Sequence, residues 1–152
     1  LQALLVPLTE SLQALQACSH IKSASLTRAD SGIDLLLTLS RPAAIPAEAL
    51  QNLLNSTGIN RVSLRNPEGA ATVAAATHPI TMRFGETDIP LPPDAFLQAS
   101  REGQEALVQT VLQCIPPHGP VADLFCGLGT YTLPLAARQS VHAVEMDAGM
   151  LR

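Results

Sequence analysis

The sequence predicts an α/β protein with a small α+β domain over residues 1–90. Residues 91–152 then begin a second domain built on parallel strands. Three observations carry this. The apolar pattern changes from helical spacing to two-residue alternation and back within the first sixty residues. The stretch Pro90-Leu91-Pro92-Pro93 then breaks the chain, because its prolines cannot donate ladder hydrogen bonds. Beyond it, an apolar run enters the turn Gly127-Leu128-Gly129, and a helical stretch and a second apolar run follow.

Leu1, Leu4, Leu5, Leu8, Leu12 and Leu15 recur at helical spacing and form one apolar stripe, with Pro7 placed to start the helix. Residues 21–29 alternate polar and apolar, Asp30-Ser31-Gly32 has turn composition, and Ile33–Leu39 is a second strand, a hairpin signature. Pro42 and Pro46 interrupt the chain, and residues 47–54 read as a helix that ends near Gly58. Residues 59–64 are extended and lead to a turn at Asn66-Pro67-Glu68-Gly69. Short strands and loops fill residues 70–89, with Gly85 and Asp88 as turn positions. An antiparallel sheet is expected for this half.

After the prolines, residues 102–115 place Ala106, Leu107, Val111, Leu112 and Ile115 on a face suited to a core, and Pro116-Pro117 stops the helix. Residues 121–125 and 141–145 are short apolar runs of the kind buried in parallel sheets, with a helix over 130–137 between them despite Pro134. Strand, glycine-rich turn, helix and strand make the opening unit of a Rossmann-like domain.

Bulk properties narrow the function classes. Of the 152 residues, 47% are hydrophobic and 14% charged, which suits a packed core rather than a disordered tail. A net charge of −4 is not the basic surface of a free-standing nucleic-acid binder. Cys18, Cys114 and Cys126 form no CxxC pair, so no metal site is expected. No secretory signal and no membrane-length apolar run is present, and a soluble cytoplasmic protein is expected.

The chemistry concentrates in Asp123-Leu124-Phe125-Cys126-Gly127-Leu128-Gly129. Glycines in a strand-to-helix turn let the backbone approach a ligand closely. The helix start beyond favours a polar or anionic group. Glu145 follows Asp123 by 22 positions and ends the next strand, where a carboxylate accepts hydrogen bonds from ribose hydroxyls. Thr132 stands where a dinucleotide fingerprint carries its third glycine, which favours an adenosyl cofactor without phosphates. Considered alone, Phe96 in Phe96-Leu97-Gln98 is a core plug before a helix capped by Ser100.

Taken together, Phe96-x-Gln98, the run from Asp123 to Ala136 and Val144-Glu145 resemble the RNA uracil-5-methyltransferases, most closely the ribosomal-RNA members. The resemblance extends from about Ala17 onward and is most specific from Phe96 to Glu145. It implies a class I methyltransferase domain and S-adenosyl-L-methionine as cofactor. Gln98, Asp123, Gly127, Gly129 and Glu145 would be the cofactor-binding residues. It also implies methyl transfer to C5 of a uridine in RNA, in which a cysteine thiolate adds to C6 and a base removes the C5 proton. That cysteine belongs to a Ser-Cys-Asn-Pro motif which this chain lacks, so no catalytic residue is assigned here. The chain is therefore expected to be an internal piece of a longer enzyme, inactive alone and prone to self-association through uncovered strands. Two other readings are a nucleotide-cofactor oxidoreductase and a non-catalytic module that binds RNA or protein.

Overall fold

The computed structural model describes residues 1–150, so the last two residues of the segment expected over 91–152 lie outside the described residues. It forms two compact units, one over Leu1–Met82 and one from Arg83 onward.

In the first unit, α1 (Leu5–Gln13) follows a short 3-10 turn, with Pro7 inside its first turn, where a missing N–H costs nothing. The hairpin is present as β1 (Ile21–Arg28) and β2 (Ile33–Leu39), with the turn closed by the Ala29 N–H donating to the Gly32 carbonyl at 2.9 Å. Helix α2 (Ala47–Thr57) buries Leu50, Leu53, Leu54 and Thr57, the helical spacing of one face. Gly58 ends it with φ of 70°, a left-handed turn, and its N–H returns to the Leu54 carbonyl at 3.0 Å. The sheet continues with β3 (Arg61–Arg65) and β4 (Thr72–Ala76) in the order β1-β2-β3-β4.

The expected antiparallel sheet is corrected here to a mixed one. The outer pairs are antiparallel, but β2 and β3 run parallel, with Leu35 opposite Val62. A helix between two strands returns the chain to its starting end, so the second strand enters in the same direction as the first. Leu35, Leu37 and Val62 meet Leu8, Leu15, Leu50, Leu53, Leu54 and Ile59 in the core. Each such leucine contributes about 1.5–3 kcal/mol by leaving water.

Arg61, on β3, is buried. The parallel register sets it opposite Asp34, and its Nε and Nη2 donate to the two carboxylate oxygens at 2.8 and 2.9 Å.

Two short strands, β5 (Thr81–Phe84) and β6 (Thr87–Pro90), pair around Gly85, whose φ is 60°. Asp88, expected in a turn, lies within β6 instead, because Gly85 alone supplies the left-handed residue the hairpin needs. In the second unit, helix α3 (Arg101–Cys114) starts at the expected cap, where Ser100 Oγ accepts from the Gly103 N–H at 3.0 Å. Parallel strands β7 (Val121–Leu124) and β8 (Val141–Val144) flank α4 (Thr132–Ala136), which gives the strand–helix–strand order read from sequence.

The expected burial of these elements is not found. Strands β7 and β8 are exposed or half-buried at every position, and the α3 face that carries Leu107 and Val111 is no better covered. A parallel sheet needs layers on both faces, and a pair of strands with two helices does not supply them.

Candidate functional site

The site is built where β7 ends. Asp123 is the third residue of this strand, half-buried, and its Oδ2 accepts a hydrogen bond of 2.5 Å from the Thr132 hydroxyl at the start of α4. The chain leaves β7 through Phe125, a non-glycine residue with φ of 60° and 82% exposed. That conformation costs an L-residue roughly 1–2 kcal/mol. The turn brings the Cys126 N–H onto the Val144 carbonyl at 3.1 Å, which ties the loop to β8.

Gly127 and Gly129 then take φ values of 55° and 91°, so both glycines sit in the region that other residues avoid. A Cβ on Gly127 would meet nothing within 4 Å, so open space adjoins the loop at this point. A Cβ on Gly129 would sit 3.1 Å from Leu133 Cγ, so that glycine serves both conformation and the packing of α4.

Glu145 directly follows β8 and faces the loop. Its Oε2 accepts from the Gly127 N–H at 2.8 Å, and its Oε1 accepts from the Met146 and Asp147 N–H groups at 2.8 and 2.9 Å. These amides, that of Asp147 foremost and then that of Gly127, favour the ionised form and hold the carboxyl below its usual range. Three of its roughly four acceptor positions are thereby filled, and one on Oε2 remains for an incoming hydroxyl.

Cys126, in the same loop, is buried. Burial pushes its thiol above the ordinary 9.0, the Asp123 and Glu145 carboxylates push the same way, and the Thr132 hydroxyl opposes them. A thiol held protonated between two carboxylates is a packing group rather than a nucleophile. The same two negative charges make the loop a poor host for phosphates and a good one for hydroxyls and cations. Helix α4 has only five residues, so its dipole adds little for an anion.

Of the residues singled out from sequence, Asp123, Gly127, Gly129 and Glu145 come together around this loop. Gln98 does not join them through a hydrogen bond among the described residues. It lies half-buried in the irregular segment between β6 and α3. Phe96 is 78% exposed, which corrects the expectation of a core plug; it sits on a loop with no apolar layer above it. Sequence reasoning missed the role of Thr132, which it treated only as an absent glycine. The signal available was a hydroxyl residue at a helix start, nine positions after a strand-end carboxylate. Among the described residues, no group of three or more His, Cys, Asp or Glu side chains could hold a metal ion, and no helix is long and apolar enough to cross a membrane.

Comparison with known proteins places this geometry in context. No protein-family model matches the chain. An uncharacterised RNA methyltransferase of Zymomonas mobilis is 34% identical over 135 residues, which cover 88% of this chain and 34% of that protein. The 23S rRNA (uracil(1939)-C(5))-methyltransferase RlmD of Klebsiella pneumoniae is 31% identical over 154 residues, covering 97% of this chain and 34% of its own length. The chain thus spans about a third of the length of these two relatives. A solved tRNA (uracil-54, C5)-methyltransferase of Pyrococcus abyssi, in complex with S-adenosyl-L-homocysteine, aligns with a TM-score of 0.73 at 13% identity. The alignment covers 99% of this chain and 40% of that one, and at this identity it shows the fold alone. The α/β class with a Rossmann-like methyltransferase fold is therefore established. The resemblance found in the sequence extends, as homology with RNA methyltransferases, along nearly the whole chain.

Proposed function

We propose that this chain, homologous along its length to a segment of RNA methyltransferases, binds the methyl donor of an enzyme that methylates C5 of uridine in RNA. Its cofactor is S-adenosyl-L-methionine, held by Asp123, Gly127, Gly129 and Glu145, with Gln98 contributing from the segment before α3. The observation that carries the reading is the Gly127 N–H bound to the Glu145 carboxylate at 2.8 Å, which sets the open glycine turn against a ribose-binding acid. The donor set suits an adenosyl sulfonium. It offers an acceptor for a ribose hydroxyl, bare backbone where a nucleoside needs room, and two carboxylates where a phosphate would be repelled.

When bound, the cofactor supplies a methyl group made electrophilic by the sulfonium charge. The residues of this chain would hold it: Glu145 would accept from the sugar hydroxyls, the glycine turn would let the backbone come close, and Asp123 would add negative charge to the site. Nucleophile and base are assigned to no residue of this chain, and Cys126 is unsuited to the first role.

Ribosomal RNA is the favoured substrate, because the relative that acts on 23S rRNA matches 97% of the chain at 31% identity, whereas the tRNA enzyme shares only the fold. The domain reading, a central α+β part over 1–90 and a donor-binding part over 91–152, belongs to the same proposal, as does a cytoplasmic location. An oxidoreductase using a dinucleotide, or a non-catalytic module, is favoured by no observation in the loop.

Titration with S-adenosyl-L-homocysteine, followed by amide NMR shifts, tests this. Saturable shifts centred on residues 123–129 and 145 are expected, with affinity falling at least tenfold in Gly127→Val and in Glu145→Ala. Binding that both substitutions leave unchanged would overturn the site.

The uncovered face of the β7–β8 pair supports self-association of the chain. Leu124 and Val144 lie opposite each other on it, 63% and 45% exposed. Sedimentation of the wild type as oligomers, and of Leu124→Lys with Val144→Lys as a monomer, is expected. A wild-type monomer at tens of micromolar would end this part of the proposal.

A further inference from the structure

Thr132 occupies the position at which a dinucleotide-binding turn carries glycine. There glycine serves close approach of helix and strand. Here the side chain makes a contact that glycine could not: its hydroxyl donates to Asp123 Oδ2 at 2.5 Å, joining the first turn of α4 to β7. The eight residues between them are therefore closed at their base by one side-chain bond. The far side of the same loop is closed by the Gly127 N–H on Glu145. Cys126, in the same loop, is buried, and both carboxylates act on its thiol.

We propose that Thr132 is a positioning residue for methyl-donor binding. By occupying Oδ2 it fixes the rotation of the Asp123 carboxylate and leaves Oδ1 as the acceptor turned to the ligand. This rests on the reading of the loop as the S-adenosyl-L-methionine site. Two physical consequences follow. A carboxylate held by a short hydrogen bond gives up little side-chain entropy when a cationic ligand group arrives. Its fixed negative charge also excludes phosphate groups from the turn, so the residue that replaces glycine contributes to the choice between an adenosyl sulfonium and a dinucleotide. Thr132 acts only through Asp123 and is assigned no contact with the reacting atoms.

The test is a double-mutant cycle on the full chain, with Thr132→Val, Asp123→Asn and the pair, plus Thr132→Ser. Affinity for S-adenosyl-L-homocysteine is measured by NMR titration, and folding is checked by amide spectra and urea unfolding of each variant. Thr132→Val is expected to weaken binding about tenfold while Thr132→Ser, which keeps the hydroxyl, stays within threefold of wild type. In the Asp123→Asn background, Thr132→Val is expected to change affinity less than twofold, because the group it positions is already altered. A purely structural role would instead give losses that multiply in the double variant and follow the loss of stability. That result, or a folded Thr132→Val chain that binds as wild type does, overturns the proposal and leaves the site intact. If wild type fails to bind, or if Gly127→Val and Glu145→Ala bind normally, the site reading fails and this inference fails with it.

Discussion

Removing the carboxylate of Asp34 leaves the Arg61 guanidinium buried without the pair of bonds that neutralises it. Both side chains are about 5% exposed, and the two bonds measure 2.8 and 2.9 Å, so solvent cannot step in without opening the sheet. Breaking a buried pair from one side costs about 3–5 kcal/mol, most of it the uncompensated charge. The first unit, Leu1–Met82, should have a total stability of about 4–12 kcal/mol at 0.05–0.15 kcal/mol per residue. Asp34→Ala is therefore expected to remove between a quarter and all of it, and to lower the melting temperature of this unit by at least about 12 °C. Urea unfolding followed through the amide signals of β2 and β3 reads the effect without averaging over the second unit. Asp34→Ala combined with Arg61→Met, which removes both charges and leaves no buried ion unpaired, is expected to recover much of the loss. A loss below about 1 kcal/mol in Asp34→Ala, with Arg61→Met equally mild, would show that these groups reach water. The parallel register that buries them would then be wrong.

Other predictions concern the loop. The Glu145 carboxyl is held below its ordinary 4.5 by backbone N–H groups, so its contribution to loop order is fully present above that value and is lost as pH falls through the lower, folded-state value. An NMR titration should show the Gly127 amide moving with the Glu145 carboxyl in that acid range; movement near neutrality would contradict the assignment. Cys126 is buried and its thiol is raised above 9.0, whereas Cys114 is exposed, so a thiol reagent at pH 8 should label Cys114 rapidly and Cys126 slowly. Comparable rates for the two in a folded chain would mean that the loop is open.

The homology with RNA methyltransferases gives these predictions their use. It concerns a chain that aligns with about a third of each of the two relatives, so the properties testable here are those of donor binding and of the fold around it.

Sequence alone determined the elements whose causes are local. The β1–β2 hairpin follows from alternation on either side of Asp30-Ser31-Gly32, and the end of α2 follows from a glycine free to turn left-handed. The glycine turn between β7 and α4, with acids at 123 and 145, was legible for the same reason, since each residue type has few uses at such a spacing. Tertiary structure decided what depends on partners distant in sequence. The parallel pairing of β2 with β3, and with it the burial of Arg61, depends on where α2 returns the chain. The exposure of Phe96 and of both strands in the second unit depends on how many layers are present to cover them. The bond from Thr132 to Asp123 depends on the angle at which α4 leaves the loop. Periodicity and composition specify which face of an element is apolar or which residue turns, but the neighbour that meets that face is set by the path of the whole chain.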